Sequence, residues 1–293
     1  MKKFEYNNID KIKFYSSYIF YKFLVLFEVK KPKIKLFLID IFYSLINLIS
    51  LLSWKRCDLS KSFYKFCNLD YIETRFGKFL IKRNTNDAIV ASPSFERRDV
   101  NFLIKKISEE IFNKRNVLFL DIGADFGYYS ILLSNIFKNN ELLKIYSFEP
   151  TSESRLLLEK NIELNNAKSI KIFPFAIYSD SNISVKMKKW STGSSSISLD
   201  IKNNDTGVVK TRTIDSALIN EINNFDVIFI KIDIEGFETE ALTGAKKTLE
   251  SNKKIYLMVE DFADNRIIDF LENTDATFVG KFNNYNSWWK FRV

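Results

Sequence analysis

Histidine is absent from this chain. That absence excludes Ser-His-Asp triads, Cys-His pairs and imidazole metal sites. It leaves carboxylate, lysine, tyrosine or a held water as any general base. Cysteine is nearly absent as well: Cys57 and Cys67 have no CxxC spacing and no second pair. They form neither a zinc nor a redox motif and read as reduced, structural thiols in a reducing compartment. A net positive charge is missing from most of the chain. Residues 1–66 hold 13 Lys+Arg against 5 Asp+Glu, and the remainder holds 31 of each. The body therefore has no net charge to draw phosphates, and nucleic acid is excluded as a partner on that ground. The basic segment points instead to an anionic membrane surface or an acidic partner.

Residues 117–149 carry the most information. They read VLFLDIGADFGYYS, a helix-length stretch, then IYSFEP. An apolar strand runs into Asp121, Gly123 and Gly127 follow, and a second apolar strand ends on Glu149. A dinucleotide GxGxxG opened by Gly123 needs glycine where Asp125 and Tyr128 stand. Asp121 and Asp125 would also oppose a pyrophosphate at the helix N-terminus. A cofactor with a cationic centre and no phosphate fits better, and S-adenosylmethionine carries a sulfonium and an ammonium. Glu149, about 20 residues after Gly127, stands where an acid takes ribose hydroxyls.

The 293 residues allow one or two domains. The first, 1–66, is basic, apolar and helical. Its stretches 14–29 and 34–54 flank KKPK, and Asp40, Ser44, Asn47 and Ser50 set one polar stripe along the second. Three readings stand open for it: packing on the domain or on a partner subunit of a homo-oligomer, lying in a membrane interface, or a span. Lys22, Glu28 and the lack of a small-residue cleavage site argue against a signal peptide. The second domain is 67–293, with lead-in strands and a helix at 71–113 and a core at 114–293. Strands are expected at 117–121, 144–149, 170–175, 226–233, 255–260, 276–282 and 287–293. Helices are expected at 127–138, 152–165 and 237–251. Strand–helix alternation of this kind makes an α/β, doubly wound, mostly parallel sheet whose ligands bind beyond the strands' carboxyl ends. Asp121, Glu149, Asp233 and Glu260 should line that crevice, and the polar stretch 190–206 reads as a substrate loop.

Residues 228–240, IFIKIDIEGFETE, form a second constellation. Ile228, Ile230, Ile232 and Ile234 share one strand face, and Lys231 and Asp233 share the other. A lysine and acids at the end of a central strand are costly there without a role or a partner. Asp233 is the candidate to face the acceptor. The plainer account is a Lys231–Asp233 pair, with Glu238 and Glu240 favoured by the helix N-terminus.

LFLDIGADFGYYS, SFEP with NIELNN, AIYSDS, RTIDSAL and IKIDIEGFETEALTGA occur in the order seen in the FkbM family. With SFE at 94–96, the chain over about residues 71–293 resembles these S-adenosylmethionine-dependent methyltransferases. The resemblance implies a class I methyltransferase (Rossmann-like) fold with a seven-stranded sheet. It implies methylation of hydroxyls on sugars, glycan-linked or small-molecule acceptors. It places Asp121, Gly123, Asp125 and Gly127 at the methionine end, Glu149 at the ribose, Ala176 of AIYSDS beside the cofactor, and Lys231, Asp233 and Glu235 beside the reaction. The family usually has asparagine at the position of Asp125, and an acid followed by histidine where this chain has Glu260, Asp261 and Phe262.

The expected chemistry is direct methyl transfer, with Asp233 or Glu260 as base, Lys231 beside them and no metal. A Mg2+ held by Asp233, Glu260 and Asp261 is the alternative way to acidify a hydroxyl. The four prolines form no NPPY-type amino-methylation motif, and neither cysteine lies near a strand end to attack a pyrimidine ring. N-methylation of a small amine or peptide, and an inactive scaffold docked on a membrane, are the competing readings. The expected location is the cytoplasm, with contact at the inner face of the membrane through residues 1–66.

Overall fold

The computed structural model describes residues 21–23, 25–52, 63–190, 194–198, 205–261, 265–283 and 285–292. Its contacts divide into two compact units, Met1–Arg97 and Arg98–Val293. The lead-in hairpin at 71–80 thus lies in the first unit, and the lead-in helix, Arg97–Phe112, opens the second.

In the first unit, strand β1 (Val29–Lys31) pairs antiparallel with β2 (Tyr71–Thr74), which forms a hairpin with β3 (Gly77–Leu80). Helix α1 spans Lys33–Leu52 and buries Leu36, Ile39 and Asp40. Asp40 accepts from Lys22 Nζ at 2.8 Å and from the hydroxyls of Ser92 and Ser94. A carboxylate in the interior needs such partners. The polar stripe of α1 therefore faces inward at Asp40 and Ser44; the side chains of Asn47 and Ser50 lie outside the described residues, as does Cys57. Cys67 is buried and free, and burial pushes its thiol up to about 11. Among the described residues no helix is long and apolar enough to cross a membrane. Short helix α2 (Asp87–Val90) closes this unit.

The second unit opens with α3 (Arg97–Phe112), which begins on the boundary residue. It then alternates β4 (Val117–Ile122), α4 (Tyr128–Ile136), β5 (Leu143–Phe148), α5 (Ser152–Asn165) and β6 (Ile170–Phe173). After an insertion come β11 (Val227–Ile232), β12 (Lys254–Glu260), β13 (Thr277–Gly280) and β14 (Asn286–Phe291). The sheet order is β6-β5-β4-β11-β12-β14-β13, parallel except that β14 runs against both its neighbours. This is the doubly wound, mostly parallel, seven-stranded sheet expected from the alternation. Every residue of β4 and β11 is buried, as central strands covered on both faces must be. The order reverses between β4 and β11, and a ligand crevice opens at such a switch point.

Two features differ from the expectation. The insertion, made of β7 (Ala176–Ile177), β8 (Ser184–Lys189), β9 (Ser195–Ser198) and β10 (Asp205–Arg212), builds a second sheet in the order β7-β10-β8-β9. The stretch 190–206 thus holds a strand, β9, hairpinned to β8; residues 191–193 and 199–204 lie outside the described residues. Between β10 and β11 stands α6 (Ile214–Leu218). The helix expected over 237–251 is broken into α7 (Glu238–Thr243) and α8 (Lys246–Leu249). A side chain at Gly244 would meet the Tyr178 carbonyl at 2.3 Å, and Asp215 caps α8 by accepting from Lys247 N and Thr248 N at 2.9 and 2.7 Å. Helix α9 (Asn265–Glu272) follows β12.

Candidate active site

Register builds the site's floor. Lys231 on β11, Asp121 on β4 and Ser147 on β5 are direct neighbours across parallel strands, so their side chains share one face. Asp121 is 1% exposed. Its Oδ2 accepts from Ser130 at 2.6 Å, and Ser130 and Ser147 are hydrogen-bonded at 2.7 Å. Its Oδ1 lies 3.6 Å from Lys231 Nζ and has no hydrogen-bond partner. Lys231 is buried, lies 3.4 Å from Asp233 Oδ2, donates to the Gly123 carbonyl at 3.4 Å and sits 5.4 Å from the Tyr129 ring. The lysine thus joins the two motifs.

The glycines of the first motif serve the chain's own packing. Gly123, at φ +78°, would place a Cβ 1.9 Å from the Asp233 carbonyl oxygen. Gly127, at φ +90°, would meet Leu158 Cδ1 at 2.3 Å and stands before α4. Only glycine allows both the conformation and the approach. Asp125 takes the left-handed region at φ +46°, which aspartate tolerates, and its N–H donates to Glu149 Oε2 at 3.0 Å. The other Glu149 oxygen accepts from Thr151 N at 2.9 Å and Thr151 Oγ1 at 2.5 Å. Burial, then the Asp125 charge, pushes the Glu149 carboxyl up to about 7 against those donors.

At the ends of β11 and β12, Asp233 and Glu260 are in hydrogen-bond contact. Burial first, then Asp233 and Glu235, raises the Glu260 carboxyl well above the usual range, so it keeps its proton at neutral pH. Glu238 acts on the backbone instead, accepting from Ile234 N and Gly236 N at 3.0–3.1 Å and so holding the turn. Glu240 lies 3.5 Å from Arg266 on the helix surface. Asp261 is buried in an ion pair with Lys281 and does not join Asp233 and Glu260. Among the described residues no group of three acids, cysteines or histidines could hold a metal ion. Ala176 lies on β7, packed with Val185, Met187 and Ile197.

Five contributors were not anticipated. Ser130 holds Asp121 and Ser147 is bonded to Ser130, a role that small polar side chains do not advertise in a sequence. Thr151 orients Glu149, and its place two residues beyond the strand-end acid was the available signal. Ser194, at the β8–β9 hairpin, hydrogen-bonds Glu235, and Lys189 of that hairpin pairs with Glu153 in the first turn of α5.

The family model for the methyltransferase FkbM domain matches residues 121–278. Solved structures that match the chain include precorrin-6y C5,15-methyltransferase from Geobacter metallireducens GS-15, at 14% identity, covering 61% of this chain and 80% of that one with a TM-score of 0.35. They include a SAM dependent methyltransferase from Aquifex aeolicus, at 12% identity, 63% and 89% coverage and a TM-score of 0.37. An rRNA methylase from Streptococcus thermophilus matches at 9% identity, 60% and 86% coverage and a TM-score of 0.36. Likenesses this distant add nothing to the sheet order itself. No curated protein matches the chain.

Proposed function

The chain belongs to the FkbM methyltransferase family, whose members use S-adenosylmethionine, and we propose that it O-methylates a hydroxyl of a sugar, or of a glycan or glycolipid intermediate. The observation that carries this reading is Lys231. It ties the cofactor-side acid Asp121 to Asp233, whose partner Glu260 retains a proton.

The residues present fit the cofactor. Acids surround the switch point and would repel a phosphate, whereas a sulfonium and an ammonium suit them. Glu149, oriented by Thr151 and Asp125 N–H, would accept from the ribose hydroxyls. The loop 123–127 would take the methionine end, and buried Asp121 acts on that loop through Lys231 and Ser130. The cofactor supplies an electrophilic methyl group. The protein orients the acceptor and keeps water out. Asp233 receives the acceptor's proton, because Glu260 is already protonated. Lys231 holds Asp233 in place, and the one O–H of Glu260 is directed at Asp233. A sugar hydroxyl needs such a base, which a neutral amine does not; the Asp233 carboxylate beside a protonated Glu260 therefore favours oxygen as the acceptor atom.

The test has two parts. Thermal-shift and calorimetric titration with S-adenosylmethionine should show binding by the parent and at least about tenfold weaker binding by Glu149→Ala. Unchanged affinity would sink the cradle. Mass spectrometry of cell-envelope glycans with and without the gene should then find a sugar lacking one methyl group when the gene is removed. Binding without any glycan change, but with a methylated amine, would move the acceptor to nitrogen. Binding with no methylated product of either kind would mean an inert scaffold.

A further inference from the structure

We propose that the first unit docks on an anionic lipid surface through the outward face of α1. Ile34, Leu38, Phe42 and Leu45 are 71%, 47%, 55% and 47% exposed. Their steps of four, four and three make one stripe along the helix. Phe23 and Phe27, just ahead of the helix, are exposed too, and the Phe23 ring lies 6.0 Å from that of Phe37 on α1.

In a helix facing water this stripe would be the polar one. Here the polar positions point the other way. Asp40 is fully buried against Lys22, Ser92 and Ser94, and Ser44 donates back to the Asp40 carbonyl at 2.7 Å. Rotating α1 to hide its apolar stripe would break a buried ion pair, and that is strongly unfavourable. The helix is therefore held with its apolar side outward.

Charge identifies the occupant. Lys31, at the end of β1, and Lys33 and Lys35, in the first turn of α1, are exposed, and the chain's whole positive excess falls within residues 1–66. An apolar stripe rimmed by lysines is the composition that enters the headgroup boundary and is retained by anionic lipid. A second copy of this face would bring like charges together. Among the described residues no helix is long and apolar enough to cross a membrane, and the contact proposed is a peripheral one.

Flotation of the full chain decides the matter, using phosphatidylcholine vesicles with and without phosphatidylglycerol. The parent should float with the anionic vesicles, and omission of phosphatidylglycerol should lower the bound fraction about tenfold. Leu38→Glu with Phe42→Glu should abolish flotation, and Lys31→Glu with Lys33→Glu should reduce it as the neutral vesicles do. Circular-dichroism melts should stay unchanged, since all four positions are exposed. Undiminished flotation of the Leu38→Glu, Phe42→Glu protein would overturn the proposal. So would a parent that does not float. A parent dimer that this double variant converts to monomer, without flotation, would assign the face to a second copy.

Discussion

At the end of β5, Glu149 meets three protein donors: the N–H of Asp125 and the N–H and hydroxyl of Thr151. At the ends of β11 and β12, Asp233 and Glu260 meet each other and the nearby charge of Glu235, with Lys231 alongside Asp233. Burial raises both Glu149 and Glu260, but the opposing forces differ. Donors hold Glu149 near neutrality, poised to ionise when hydroxyls replace lost solvation. Neighbouring acids hold Glu260 protonated. In the function proposed above, one side accepts hydrogen bonds from a ligand, and the other keeps one proton and receives another. Lys231 and Gly123 join them, so each can be perturbed alone or both together.

Gly123→Ala should perturb both at once. Its Cβ would stand 1.9 Å from the Asp233 carbonyl at a φ that alanine resists. We expect loss of S-adenosylmethionine binding and of turnover, with stability reduced by about 3 kcal/mol or more in urea titration. Binding within about twofold of the parent would show that the halves are not coupled through this contact.

Asp233→Asn should act on one side only. Turnover should fall about 10²–10⁴-fold while cofactor affinity changes less than about twofold, because only the base is removed. An equal loss of affinity would place Asp233 with the cofactor and erase the distinction between the two sides.

Glu260→Gln tests the protonated acid. A raised carboxyl pKa contributes stability that is present below the unfolded value and lost as pH rises through the folded one. The amide cannot ionise, so the variant should match the parent near pH 4 and melt higher than it near pH 8. Turnover should stay within about tenfold. A variant less stable than the parent at alkaline pH would mean that Glu260 is charged in the native protein.

Much of this arrangement is legible in the sequence, because strand-end acids follow from the alternation of apolar runs and turns. Asp121, Glu149, Asp233 and Glu260 all lie at the carboxyl ends of strands, on the residues where their runs stop. Two kinds of feature were not legible. The polar row Ser147–Asp121–Lys231 depends on register between strands distant in sequence, which no local pattern encodes. The sheet from Ala176 to Arg212 alternates weakly, since only Val185 and Met187 of β8 turn inward among lysines and serines. The facing of α1 was hidden for a related reason. Its polar stripe was plain, but the partners that bury Asp40, at Lys22, Ser92 and Ser94, are far away in the chain.

Asp125→Asn should give the smallest and most specific effect. The aspartate departs from the family's usual asparagine, and in the fold its charge is the second cause, after burial, of the raised Glu149 carboxyl. Asparagine keeps the N–H that bonds Glu149 and tolerates the same left-handed backbone. Only the charge is lost, so Glu149 should ionise at lower pH. In the parent, cofactor affinity should rise with pH through about 7, as the carboxylate that accepts ribose hydroxyls forms. In the variant that rise should move to lower pH, and each unit of displacement is worth about tenfold in affinity below the parent's midpoint. Calorimetric titrations at a series of pH values would show it. A pH-independent loss of affinity would instead mean that the Asp125 carboxylate itself faces the cofactor's cation. In that case the departure from asparagine strengthens the cradle directly, and the contrast between the two sides of Lys231 narrows to the donors alone.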